Sequence, residues 1–145
     1  MSIYRIQKGV GTVKLSRAVF LYIEHELYSY DATKRSLVEL REDIIDETPL
    51  PEVMVSGGTT PNPTERKAAR LVQNAALARM ERVIRAVERA LGRLTESHRQ
   101  LFELKYLQSL EWPQVCDEMA ISERSFFRLR RDLVLMAAEE LGLGE

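Results

Sequence analysis

Six side chains close to the end of the chain, Arg124, Ser125, Phe127, Arg128, Arg130 and Arg131, have types and spacings suited to gripping a nucleic acid. A guanidinium can donate two parallel hydrogen bonds to O6 and N7 of guanine, and Arg124 and Arg128 stand four apart, on one face of a helix. This pair is expected to read bases or flanking phosphates, with Ser125 bonding a phosphate and Arg130 and Arg131 serving the backbone. Phe127 points outward in the same pattern, where it either touches a thymine methyl or packs on a neighbouring helix. The competing arrangement is a solvated arginine face salt-bridged to Glu123 and Asp132. Catalytic patterns are missing from the sequence: His25 and His98 are far apart, and there is no HExxH, CxxC, phosphate-cradling glycine loop or serine elbow. No enzyme activity, metal or cofactor is expected, and each histidine is read as structural or exposed.

Presenting those arginines requires two short helices that cross steeply over a tight turn, and the residues before them have the spacing of such a helix-turn-helix. With Trp112 as the first place of a twenty-residue unit, apolar side chains fall at Val115, Met119, Ile121, Phe126 and Leu129. Small Cys116, the single cysteine, stands where the two helices must nearly touch and is read as packing. The turn position usually held by glycine is Ala120. Pro113 fits the first turn of a helix starting around Glu111, and Ser122 is placed to cap the last helix. That helix runs through Leu133, Ala137 and Leu141 to a stop at Gly142 and Gly144, and its second half is expected to pack on another element or a second subunit. A supporting helix through Leu101, Phe102, Leu104 and Tyr106 to about Leu107, capped by Thr95 or Ser97, comes before the pair.

The remainder reads as helical, so the fold class is all-α. Residues 13–46, with Val13, Phe20, Ile23, Leu27, Tyr30, Leu37, Leu40 and Ile44 at helical spacing, make a long helix or a helical pair interrupted around Asp31-Ala-Thr33. Residues 65–92, capped at Thr64 and stopped at Gly92, carry the strongest signal: Leu77, Met80, Ile84, Val87, Leu91 and Leu94 step by threes and fours. This seam admits two arrangements, a self-associating homodimer or internal packing within one chain. Between them, residues 48–64 are rich in Pro, Gly, Ser and Thr and read as a linker or an ordered loop. The expected organisation is a helical region over 1–47, a linker over 48–64, a long amphipathic helix over 65–94 and a DNA-binding unit over 95–145.

Composition constrains the partners. The chain is 45% hydrophobic and 30% charged, which excludes a fully disordered protein, and no apolar run or basic-then-apolar leader marks a membrane span or export signal. A soluble, cytoplasmic protein is expected. The formal net charge of −1 conceals an uneven distribution. Residues 64–94 carry eight basic against three acidic groups, and four of the six basic groups after residue 94 are Arg124, Arg128, Arg130 and Arg131. Phosphate contacts by Lys and Arg dominate nucleic-acid affinity, so this local concentration matters more than the total.

The supporting helix Leu101-Phe-Glu-Leu-Lys-Tyr106, followed by Leu110-Glu-Trp-Pro-Gln-Val-Cys116 and Ile121-Ser-Glu-Arg-Ser-Phe126, resembles region 4 of bacterial sigma factors, which binds the −35 promoter element. A fuller likeness involves Tyr28-Ser-Tyr-Asp-Ala-Thr-Lys34, Leu40-Arg-Glu-Asp-Ile-Ile45, Pro63-Thr-Glu-Arg-Lys-Ala-Ala-Arg-Leu71, Leu77-Ala-Arg-Met-Glu-Arg-Val83 and Ala137-Ala-Glu-Glu-Leu-Gly142. With these the chain resembles the RinA and ArpU-like regulators of phages that infect Gram-positive bacteria. The resemblance implies an activator of phage late genes in the host cytoplasm. It would bind double-stranded promoter DNA through Arg124, Ser125, Phe127, Arg128 and Arg131 and work with host RNA polymerase. The acidic back of the C-terminal region, at Glu139 and Glu140, would be the surface offered to polymerase. Two other classes fit the same helices: a small terminase subunit that marks phage DNA for packaging, and a polymerase-binding protein that uses the fold for protein contact alone.

Overall fold

The computed structural model describes residues 4–8, 11–46 and 62–144, with side chains over 14–44 and from 62 onward. Apart from one short hairpin, the described chain is helical, in agreement with the all-α expectation. The hairpin pairs β1 (Tyr4–Lys8) with β2 (Gly11–Leu15) in antiparallel register, Tyr4 opposite Leu15 and Ile6 opposite Val13. Helical periodicity from Val13 therefore overran the true start: residues 11–15 belong to a strand, and α1 (Arg17–Tyr28) begins only where the Ser16 hydroxyl accepts the Val19 N–H. Val13 and Val19 are both compatible with strand and helix spacing, so the paired backbone decides.

The helical pair is broken at Ser29, two residues before the expected place, and α2 (Tyr30–Asp46) follows at once. The stretch read as a linker lies outside the described residues except for its last three. Of these, Asn62 accepts the Thr64 N–H as the cap and Pro63 opens α3 (Pro63–Arg93), so the cap sits two residues ahead of Thr64. Proline at the first helical position sacrifices no hydrogen bond, which explains the early start. Gly92 lies inside α3 rather than ending it, and the helix, about 46 Å long at 1.5 Å per residue, caps at Leu94.

Thr95 then starts α4 (Glu96–Leu101), which runs on as a π-helical segment over Phe102–Leu107. His98 closes this start: its Nδ1 accepts the Thr95 backbone N–H at 3.2 Å, leaving Nε2–H to donate to Asp132 at 3.0 Å. The histidine is therefore a buried structural tie. After α5 (Trp112–Met119) and a three-residue turn comes α6 (Glu123–Glu140), capped by Ser122 as expected and ended at Gly142, whose φ is +73°.

Helix α6 is the hub. It packs against α1, α3, α4, α5 and the hairpin, and every residue from Leu133 to Ala138 is buried. One core cluster joins Phe20, Ile23 and Leu27 of α1, Val83 and Val87 of α3, Leu101 and Tyr106, Val115 of α5, and Phe126 and Leu129 of α6. Fully burying each large apolar side chain contributes roughly 1.5–3 kcal/mol, so all of these helices are tied by one hydrophobic term. The seam of α3 is used here: Ile84 and Val87 are buried, while Leu77, Met80, Leu91 and Leu94 are half-buried. Within one chain α3 packs against α6 and α2, with Ile84 and Val87 among its buried residues.

The turn of the α5–α6 pair carries a conformational strain. Ala120 has φ +53° and ψ +47°, a left-handed geometry that costs an L-residue about 1–2 kcal/mol. Replacing it by glycine removes the clash at some entropic cost in the unfolded chain. Ala120→Gly is expected to stabilise the protein by about 1 kcal/mol, seen as a melting temperature about 3 °C higher in thermal denaturation followed by circular dichroism.

Candidate nucleic-acid interface

The turn pair is built by local chemistry. Glu111 precedes α5, where the Gln114 side chain accepts the Glu111 N–H at 3.2 Å, and Pro113 sits in the first turn. Val115, Phe126 and Leu129 are buried, and Met119, Ile121 and half-buried Cys116 pack against the same cluster. At the start of α6 the Ser122 hydroxyl accepts the Ser125 N–H at 3.1 Å and donates to the Ser125 hydroxyl at the same distance.

With Phe126 and Leu129 fixed inward, Glu123, Arg124, Phe127, Arg128 and Arg131 are exposed. The side of α6 toward α1 opens into a groove of about 670 Å³ lined by Phe20, Arg124, Ser125, Phe127, Arg128, Arg130 and Arg131. All six side chains singled out in the sequence line this one groove, with Phe20 added from α1. Among the described residues, Arg124, Arg128 and Arg131 take part in no ion pair. Asp132, the partner weighed for a salt-bridged face, is instead bonded to His98. Phe127 is half-exposed at the rim, its ring 6.2 Å from that of Trp112 on α5 and 5.1 Å from that of Phe126. The two alternatives for Phe127 are thus not exclusive: one face packs while the other meets solvent.

Arg130 departs from its expected role. Its Nε and Nη2 donate to the two carboxylate oxygens of Glu24 on α1, at 2.9 and 2.5 Å, and its guanidinium lies over the rings of Phe20 (5.1 Å) and Phe127 (5.9 Å). The same carboxylate accepts the Tyr106 hydroxyl at 2.7 Å, with Lys105 Nζ 3.8 Å away. Arg130 thus anchors α6 on α1, since a guanidinium forked onto a buried carboxylate has a strong partner within the chain. Burial alone pushes the Glu24 carboxyl up, but the hydrogen bonds from Arg130 and Tyr106 and the charges of Arg130 and Lys105 outweigh it and hold it below the usual carboxylate range. The Tyr106 hydroxyl is raised well above its ordinary value by burial and then by the Glu24 charge, so it stays a donor.

Glu139 and Glu140, placed on the surface offered to polymerase, both pair with Arg93 at the end of α3, at 3.6 and 2.6 Å. Their charge is partly neutralised by the chain itself. Motif reasoning did not connect Glu24, Lys105, Tyr106 and Phe20 with this face of α6, where Phe20 lines the groove and the other three form the cluster around Arg130. A signal was present: Phe20, Ile23, Glu24 and Leu27 stand at i, i+3, i+4 and i+7, so Glu24 occupies a place on an apolar stripe.

No family model matches this chain, and no solved structure matches it. It is similar to the protein named transcriptional activator rinA of Staphylococcus phage phi11, at 24% identity over 123 residues, covering 83% of this chain and 88% of that protein. The similarity bears out the resemblance to RinA-like chains drawn from the motifs. No helix among the described residues is long and apolar enough to cross a membrane.

Because the folded-state pKa of Glu24 is depressed, its contribution to stability is present above the unfolded value near 4.5 and is lost as the pH falls through the folded value. Chemical denaturation at descending pH is expected to show the wild type losing stability below pH 4.5. Glu24→Gln should be less stable by about 2–3 kcal/mol at pH 7 and should lose less on acidification. Parallel acid curves for the two proteins would refute the assignment.

Proposed function

We propose that this chain is a sequence-specific DNA-binding activator of phage late transcription. Its α5–α6 pair acts as a helix-turn-helix, with the start of α6 entering the major groove of promoter DNA. The observation that carries this reading is the single exposed face formed by Arg124, Phe127, Arg128 and Arg131, three of them cations with no ion pair among the described residues. A solvated structural helix has no need for three unpaired guanidinium groups beside a half-exposed phenylalanine, whereas a base-reading helix uses both. In this role Arg124 and Arg128 read base edges or flanking phosphates, Arg131 holds the backbone and Phe127 meets a thymine methyl. Ser125 adds a phosphate contact through its hydroxyl. The similarity to a protein named as a phage transcriptional activator supports the biological setting and favours activation over DNA packaging.

Cooperation with host RNA polymerase belongs to the same proposal. The surface suited to it is the end of α6 opposite the groove, where Glu139 and Glu140 share Arg93. Separating the two ends of one helix would let DNA and polymerase be held at once.

Arg128→Ala is expected to weaken specific binding by about 1–3 kcal/mol in an anisotropy titration at fixed salt, if its contact is bidentate to a base. Equal affinities for mutant and wild type would remove Arg128 from the reading set. The paired change Glu139→Gln and Glu140→Gln is expected to leave DNA affinity unchanged while lowering transcript yield several-fold in a reconstituted assay. Full transcription with host polymerase would exclude this end of α6 as the contact.

A further inference from the structure

We infer that Glu24 sets the DNA selectivity of α6 by holding Arg130 off the phosphates and beneath Phe127, an inference that rests on the DNA-reading role proposed above. Arg130 lines the same groove as Arg124, Arg128 and Arg131, so position alone would make it a fourth cation for DNA. Two of its donor nitrogens are committed instead to the two oxygens of Glu24, a buried side chain on a different helix. The Tyr106 hydroxyl also donates to that carboxylate, and Lys105 lies beside it, so the acceptor is itself held in place.

Binding is affected in two ways. Phosphate contacts supply affinity that is the same on every sequence, and each one adds about 0.9 to the slope of log affinity against log salt. Withholding Arg130 therefore lowers attachment to non-target DNA. The captive guanidinium also lies 5.9 Å from the Phe127 ring, with Trp112 at 6.2 Å, so an apolar base contact is presented from a fixed position. Preorganisation of this kind favours the target, where that contact is made. Glu24 touches no DNA in this scheme and acts as a positioning residue.

The test uses the full chain, a duplex that the wild type enriches from a random pool, and a scrambled duplex of equal length, titrated between about 50 and 200 mM salt. Glu24→Gln is expected to steepen the salt slope on the scrambled duplex by about 0.9, so that its affinity falls roughly threefold more than that of the wild type across this range. The ratio of target to scrambled affinity should fall at the same time. A fold weakened without releasing Arg130 would reduce binding to both duplexes and leave the slope alone, which overturns the inference. Because Glu24→Gln exposes an unpaired cation, the double change Glu24→Gln with Arg130→Met provides a second measurement. Its slope should equal that of the wild type, and a slope lower by about 0.9 would mean that Arg130 already contacts phosphate and the inference is wrong. If the wild type enriches no duplex, the DNA-reading function falls and takes this inference with it. If it enriches one and Arg128→Ala weakens binding, an unchanged slope in Glu24→Gln overturns this inference alone.

Discussion

The carboxylate of Glu24 sits where α1, the π-helical segment and α6 meet, and three groups converge on it: Arg130, Tyr106 and Lys105. A buried charge is tolerated only when paired and hydrogen-bonded, so each of these partners is constrained by the others. Removing either Glu24 or Arg130 leaves the other charge without its main partner, whereas a small apolar void nearby can be partly refilled by relaxation. The cluster thus fixes the rotation of α6 about its own axis relative to α1. That rotation decides which arginines face solvent.

The pairing has a counterpart in the two sequences that make it. On α1 the stripe is Phe20, Ile23, Glu24, Leu27, and on α6 it is Phe126, Leu129, Arg130, Leu133. In both, the fourth residue after an aromatic is charged, and the two charges are opposite. Apolar neighbours bring the helices together, and the charged places then permit one register between them. Coulomb attraction in a poorly solvated setting is strong enough to penalise a slipped register but does little to drive folding by itself.

Helix α6 performs two tasks because of its length. Its second half, Leu133 to Ala138, is buried on every side and belongs to the core, while its first half keeps one face open beside the groove. Strain at Ala120 and the Ser122 cap fix where the open half begins. Rigidity of the core is thereby transmitted to the arginines, and side chains on a stiff helix are placed more accurately than side chains on a loop. The basic character of α3 is partly consumed within the fold, since Arg79 pairs with Glu26, Arg85 with Glu81 and Arg93 with Glu139 and Glu140. Local charge counts along a sequence overstate what a partner can reach.

Much of the architecture was legible from spacing alone. The long helix over α3, the cap at Ser122, the stop at Gly142, the left-handed place at Ala120 and the outward arginines follow from local rules of periodicity, capping and turn geometry, which depend on neighbours a few residues apart. Other features did not follow. The pairing of residues 4–8 with 11–15 depends on two strands meeting, and Val13 suits either structure. The periodicity of α3 did not name the elements it packs against, which are α6 and α2 within the chain. Arg130 looked like its neighbours because its type and spacing were the same, and the residue that distinguishes it lies on α1, far away along the chain. Residue type and spacing were enough to say which side chains could be brought to one face of one helix. Which of them remain available was settled only by the packed fold, because a charge is claimed by whichever opposite charge is placed beside it.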